Sequence, residues 1–116
     1  ILAFLVVDST QAIPLEGAEV WLFDNEADWN NFSDPILIGY ANSEGKVEFS
    51  NMESMVYYIY AVSNEAEGFW ITGGYTPVLS LNEINSFLLP CEWYYFDEMK
   101  AYPKYSAPAR ELRRMH

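Results

Sequence analysis

The chain has 116 residues and a mass of 13.4 kDa, a length typical of one domain. Hydrophobic residues make up 51% and aromatic residues 17% of it, which excludes an intrinsically disordered chain and favours a packed core. Seventeen acidic and six basic residues give a formal net charge of -11, so the surface repels phosphate backbones and nucleic acid is excluded as a partner.

Short apolar and aromatic runs, separated by turn residues, predict an all-β sandwich of about seven strands. The runs are residues 2–7, 18–23, 36–41, 46–50, 55–62, 75–81 and 86–96. None is long enough to span a membrane as a helix, so no transmembrane segment is expected. Because the chain enters an apolar run at once and does not begin with Met, we expect a trimmed product whose targeting segment precedes Ile1.

Local patterns give two sharper expectations. Residues 42–45 predict a short hairpin loop, with Gly45 at a position that needs positive φ. In the run that follows, Val47 and Phe49 alternate with charged residues, so they should face the core.

Two of the predicted strands have apolar residues on both faces. In residues 55–62, Tyr60 lies on one face and Ile59 on the other, and residues 2–7 share the property. One core layer cannot cover both faces, so we expect either residues 68–90 or another chain to pack on the second face.

The acidic stretch 24–34 interrupts the strand pattern. Residues 26–31 predict one helical turn before Pro35 restarts an extended run. Carboxylates are the oxygen ligands that calcium prefers, so this loop is a candidate calcium site. The candidate ligands are Asp24, Glu26, Asp28 and Asp34. The EF-hand pattern is not met, because Trp29 stands where Gly is needed and Pro35 where Glu is needed, and a solvated acidic loop is the simpler interpretation.

The aromatic residues allow three interpretations: packing in the core, a protein interface, or a platform on which sugar rings stack. Core packing is favoured, because a sandwich of this size needs large residues inside. The candidates for a ligand or interface role are Trp21, Trp29, Tyr57, Trp70 and Trp93.

The sequence predicts no enzyme and no catalytic residues. The single histidine, His116, is the last residue, so no rigid base accompanies a nucleophile. Cys91 is the single cysteine, which excludes an intrachain disulfide and predicts an inert, part-buried thiol. No cofactor is expected beyond the candidate calcium site.

Charge divides the chain into a β-sandwich domain, residues 1–98, and a basic tail, residues 99–116. Sixteen of the seventeen acidic residues precede the tail, and five of the six basic residues lie in it. The tail could dock on the acidic body, lie on an anionic envelope surface or lead to a further segment, and a short helix is expected after Pro108.

Residues 13–23 read Ile-Pro-Leu-Glu-Gly-Ala-Glu-Val-Trp-Leu-Phe, and residues 39–52 contain Gly-Lys-Val-Glu-Phe followed by Ser-Asn-Met. Together with the opening strand they resemble carboxypeptidase regulatory-like and Cna B-type modules, and the likeness covers residues 1–63. The insertion over residues 25–35 is similar to a longer variant in envelope lipoproteins of Gram-negative bacteria.

This resemblance implies a transthyretin-like, antiparallel Greek-key β-sandwich. It also implies a non-catalytic structural or adhesive module, located outside the cytoplasm at a bacterial cell envelope or surface, in a lipoprotein. The first strand has no Lys for the isopeptide crosslink of Cna B-type domains. Two alternatives stay open: a carbohydrate-binding module that uses surface Trp and Tyr, and an oligomeric assembly subunit that buries apolar sheet faces between chains.

Overall fold

In the computed structural model, which describes residues 1–96 and 110–115, the chain forms seven strands and one short helix. The strands are β1 (Leu2–Asp8), β2 (Glu19–Phe23), β3 (Leu37–Tyr40), β4 (Lys46–Phe49), β5 (Tyr58–Asn64), β6 (Gly68–Tyr75) and β7 (Asn85–Tyr95), and the helix is α1 (Glu26–Asn31). No helix in this part of the chain is long and apolar enough to cross a membrane.

The strands are hydrogen-bonded in the order β3-β2-β5-β6-β7-β1-β4. Strand β7 belongs to both halves of this array: residues 85–91 pair with β1, and residues 92–95 pair with β6. The β1–β7 pairing is parallel and the other pairings are antiparallel, so the sheet is mixed and not purely antiparallel as the resemblance implied.

The two ends of the array approach each other. An added Cβ at Gly39 in β3 would lie 2.7 Å from Val47 Cγ2 in β4, the strand at the opposite end of the order. The array therefore folds over on itself and encloses one main core. Buried side chains from β1, β2, β4, β5 and β7 form that core. The prediction of an all-β, sandwich-like fold with about seven strands is confirmed.

Strand β4 shows the predicted alternation: Val47 and Phe49 are buried, and Lys46 and Glu48 are exposed. Val47 and Phe49 pair across from Phe4 and Leu2 of β1.

The turn predicted over residues 42–45 is present, but it does not form a hairpin. Gly45 has a φ of 78°, and the Asn42 side chain accepts hydrogen bonds from the backbone N–H groups of Glu44 and Lys46. The flanking strands pair with β2 and β1, not with each other. The hairpin prediction was wrong because turn chemistry fixes a local reversal and leaves the pairing partners open.

Strand β6 lies where no strand was predicted, over Gly68–Tyr75, and the strand predicted over residues 75–81 is absent. Three glycines lower the strand propensity of Gly68–Tyr75. Its pairing with both β5 and β7 outweighs that local preference.

The outer face of β5, away from the main core, is covered by the acidic stretch. The helical turn predicted over residues 26–31 is confirmed, and its Trp29 packs with Phe23 and Tyr60 in a second, smaller core. The cover on β5 is therefore the acidic stretch and not residues 68–90, while packing of another chain on an apolar sheet face stays a prediction. The nearest segment in sequence, directly after β2, supplies the cover.

Residues 110–115, called the closing segment below, are extended and lie against β6 and β7. They are not part of a helix, because pairing with two strands stabilises them more than a helix of this length could. The predicted domain boundary between residues 98 and 99 lies outside the described residues, as do residues 99–109 and His116 of the predicted tail.

Candidate functional site

The acidic stretch is organised by one amide side chain. Asn25 is the N-cap of α1, and its Oδ1 accepts a hydrogen bond of 2.8 Å from the backbone N–H of Asp28. Its Nδ2 donates to the carboxylates of Asp24 and Asp28, both at 2.8 Å. These carboxylates therefore share a neutral donor, and they lie near the positive end of the helix dipole.

The four candidate calcium ligands do not come together as a site. Asp24 and Asp28 meet at Asn25, and Glu26 and Asp34 are exposed to solvent. Within residues 1–96 and 110–115, no group of three or more His, Cys, Asp or Glu side chains could hold a metal ion.

Two of the five aromatic candidates are interior side chains. Trp29 is 2% exposed, and its Nε1–H donates to the backbone oxygen of Ile59 at 3.0 Å. Tyr57 is also buried, and its hydroxyl accepts a hydrogen bond of 3.0 Å from the backbone N–H of Glu53. Neither ring presents a face to a ligand at the surface.

The other three candidates are half-buried. Trp21 lies beside the smaller core and directs its Nε1–H to Glu19 at 3.5 Å. Trp70 and Trp93 pair across β6 and β7, with ring centroids 5.1 Å apart and planes tilted by 58°. A sugar platform requires nearly coplanar exposed faces, and this pair does not provide them.

A different surface stands out at the edge strand β3, which pairs only with β2 among the described strands. Three of its four residues expose large apolar side chains: Leu37, Ile38 and Tyr40 are 42%, 44% and 65% exposed. Ile36, directly before the strand, adds to them. We call residues 36–40 the β3 edge. In the sequence, the β3 edge is a run of apolar residues without alternating polar ones, and this pattern by itself predicts a buried core strand.

A groove lies beside the β3 edge, between β3 and β4. Its lining includes Tyr40, Asn42 and the oppositely charged Lys46 and Glu48. A free strand edge beside such a groove has unpaired N–H and C=O groups, which are a template for another polypeptide strand.

The closing segment occupies the second unusual place in the fold. Leu112 is 6% exposed and belongs to the main core. Arg114 lies over the ring of Phe87, 4.9 Å from its centroid, and donates to Asn85 Oδ1 at 3.1 Å. Asn85 is buried and also donates to the backbone oxygen of Ser80 at 3.0 Å. Arg114 is therefore held by neutral partners. Sequence reasoning missed Asn85, because its role depends on three distant segments.

Two buried groups, Cys91 and Asp8, have shifted pKa values, and burial or backbone hydrogen bonds explain each shift. Burial raises the pKa of the Cys91 thiol to about 12, so the thiol stays protonated and unreactive. The carboxylate of Asp8 accepts hydrogen bonds from the backbone N–H groups of Gln11 and Thr10, at 2.6 and 3.1 Å. The bond from Gln11 is the largest cause that lowers the pKa of Asp8. Asp8 thus fixes the turn after β1.

No protein-family model, curated protein or solved structure matches the chain.

Proposed function

We propose that the chain is a non-catalytic structural or adhesive β-sandwich module that contacts a protein partner through the β3 edge. The observation that carries the proposal is the exposure of Leu37, Ile38 and Tyr40 on a strand whose one partner among the described strands is β2. Folded domains usually protect such an edge with charged or proline residues, and an unprotected apolar edge favours pairing with another chain.

The chemistry around the β3 edge suggests the kind of partner. Glu19 pairs across from Tyr40, and Glu48 lines the adjacent groove together with Lys46. Residues 1–96 also carry most of the acidic residues of the chain and one Lys. A complementary partner is an extended polypeptide with apolar side chains and flanking Lys or Arg residues. In keeping with the resemblance of residues 1–63, we propose that this contact takes place at a bacterial cell envelope, in a lipoprotein.

The test measures attachment of beads coated with the chain to three surfaces: the chain itself, denatured collagen as an extended polypeptide, and purified peptidoglycan. We expect attachment to one of the polypeptide surfaces. Ile38→Lys should reduce it at least fivefold, because a charge in an apolar contact costs on the order of 1–3 kcal/mol. Val78→Lys is the matched control, since Val78 is 59% exposed and lies outside the β3 edge.

Equal attachment of the parent and Ile38→Lys would overturn the proposal. Attachment to peptidoglycan alone would overturn it as well and would favour a carbohydrate-binding module.

A further inference from the structure

A cavity opens on the outer face of the sheet, beside the first turn of α1. It measures about 310 Å³ and is lined by Glu26, Trp29, Val56, Tyr58 and Tyr75. This volume lies at the lower end of the range for small-molecule pockets, about 300–1,000 Å³. Its described lining shares no residue with the β3 edge, so an inference drawn from this cavity is independent of the proposed function.

Two local patterns bring the lining side chains together. Glu26 and Trp29 are three positions apart in α1, so they share one side of the helix. Tyr58 and Tyr75 are paired residues of β5 and β6, and paired residues point to the same face of a sheet. Because α1 covers the outer face of β5, that side of the helix and that face of the sheet meet at the cavity.

The aromatic rings form a continuous wall. The ring of Tyr58 lies 5.3 Å from that of Trp29, with the planes tilted by 39°, and 6.2 Å from that of Tyr75, tilted by 50°. Trp29 is interior, so it closes the inner end of the cavity and supports Tyr58. Tyr58 and Tyr75 are half-buried and are the rings that a ligand can contact. The face of an aromatic ring carries negative potential and attracts a cation.

The charge beside this wall is also negative. Glu26 is exposed at the cavity, and within residues 1–96 and 110–115 its carboxylate belongs to no ion pair. Asp24 and Asp28, which share the side chain of Asn25, add negative potential close by. No basic side chain of the described residues lines the cavity. The ligand that complements this lining is therefore a cation.

The lining also distinguishes between kinds of cation. A primary ammonium group has three N–H donors, and each of them needs an acceptor when it leaves water. The one charged acceptor in the lining is Glu26, and Val56 and the ring faces present apolar surface. A quaternary ammonium group has no N–H and carries its charge under methyl groups, so it can contact ring faces without losing a hydrogen bond.

We propose that this cavity binds a small organic cation through a quaternary ammonium group. The faces of Tyr58 and Tyr75 contact the methyl groups, and the carboxylate of Glu26 lies beside the charge. The cavity is large enough for a whole molecule of the size of choline, so the ligand is a free small molecule.

Titration of the full chain with three compounds at constant ionic strength tests the proposal. Choline carries the quaternary group, dimethylbutanol is its uncharged analogue in which carbon replaces the nitrogen, and ethanolamine carries a primary ammonium group. The amide NMR signals of Tyr58 and Tyr75 should shift with choline and reach saturation. The analogue and ethanolamine should each bind at least about fivefold more weakly. Absence of a saturable shift with choline, or equal affinity for choline and either other compound, would overturn the proposal.

Variants assign the binding to the cavity. Glu26→Gln should weaken choline binding about threefold or more, whereas Glu16→Gln, which removes an exposed charge outside the cavity, should leave it unchanged. Tyr75→Leu should weaken it by about 2- to 30-fold, and Tyr75→Phe, which keeps the ring, should bind within about twofold of the parent.

The charge variants keep the proposal testable if Tyr75→Leu does not fold, because Glu26 is exposed and its replacement leaves the packing intact. Equal weakening by Glu26→Gln and Glu16→Gln would overturn the proposal and assign the binding to net charge. Full affinity in a folded Tyr75→Leu chain would overturn it as well.

Discussion

Replacing Trp29 by alanine should detach α1 from the outer face of the sheet. The side chain is 2% exposed, and its ring lies 5.3 Å from that of Tyr58 and 5.6 Å from that of Tyr60. Loss of a buried Trp side chain costs about 3–5 kcal/mol, of which the hydrogen bond to Ile59 accounts for about 1 kcal/mol. For a domain of this size, the melting temperature should fall by roughly 12–20 °C.

Urea unfolding followed by far-ultraviolet circular dichroism measures this loss, because Trp29 is itself a fluorophore. Trp29→Phe keeps most of the ring contacts and loses the hydrogen bond, so it should cost about 1–2 kcal/mol. Trp21→Ala is the control, since Trp21 is half-buried on the same face. If Trp29→Ala falls within about 1 kcal/mol of the parent, or costs no more than Trp21→Ala, then α1 does not cover the sheet as argued.

Three further predictions follow from individual residues. Asp8→Asn should be less stable than the parent at neutral pH. The difference in free energy of unfolding should shrink as pH falls below 3.8, because the lowered pKa of Asp8 stabilises the fold only while the group is ionised. A pH-independent difference in urea titrations would contradict this. Cys91 should react with a thiol reagent at pH 8 only after denaturation, and labelling of the folded chain within minutes would show that the thiol is not buried as described. Gly45→Ala should lower the free energy of unfolding by about 2 kcal/mol or more, since its Cβ would lie 2.6 Å from the backbone oxygen of Val6. Gly17 has a similar positive φ in open space, so Gly17→Ala should lower it by about 1 kcal/mol. Equal thermal shifts for the two variants would refute the argument from close approach.

Parts of the fold follow from local pattern alone. The alternation in β4 predicts which residues face the core, because successive side chains of a strand point to opposite faces wherever the strand lies. The six-residue helix α1 is equally local, since Asn25 caps it within one turn and Pro35 restarts the extended chain soon after it. Both are set by residues within a few positions of each other.

The candidate functional surfaces were harder to predict from the sequence. Trp29 and Trp21 look alike in a composition argument, yet one is interior and the other half-exposed. The apolar run at the β3 edge reads as a core strand, and it is exposed because β3 lies at one end of the order. Exposure depends on what packs against a strand, and periodicity carries no information about that.

The sequence by itself determined the all-β class, the core face of β4 and the acidic helix. Tertiary structure decided the cover on β5, the glycine-rich strand β6 and the extended closing segment. Leu112 shows the physical reason most directly. Taken alone, the residues around it favour only a short, marginal helix. Leu112 is part of the core because β6 and β7 separate and leave a gap that its side chain fills. Burial in that gap stabilises a conformation that local preference does not select.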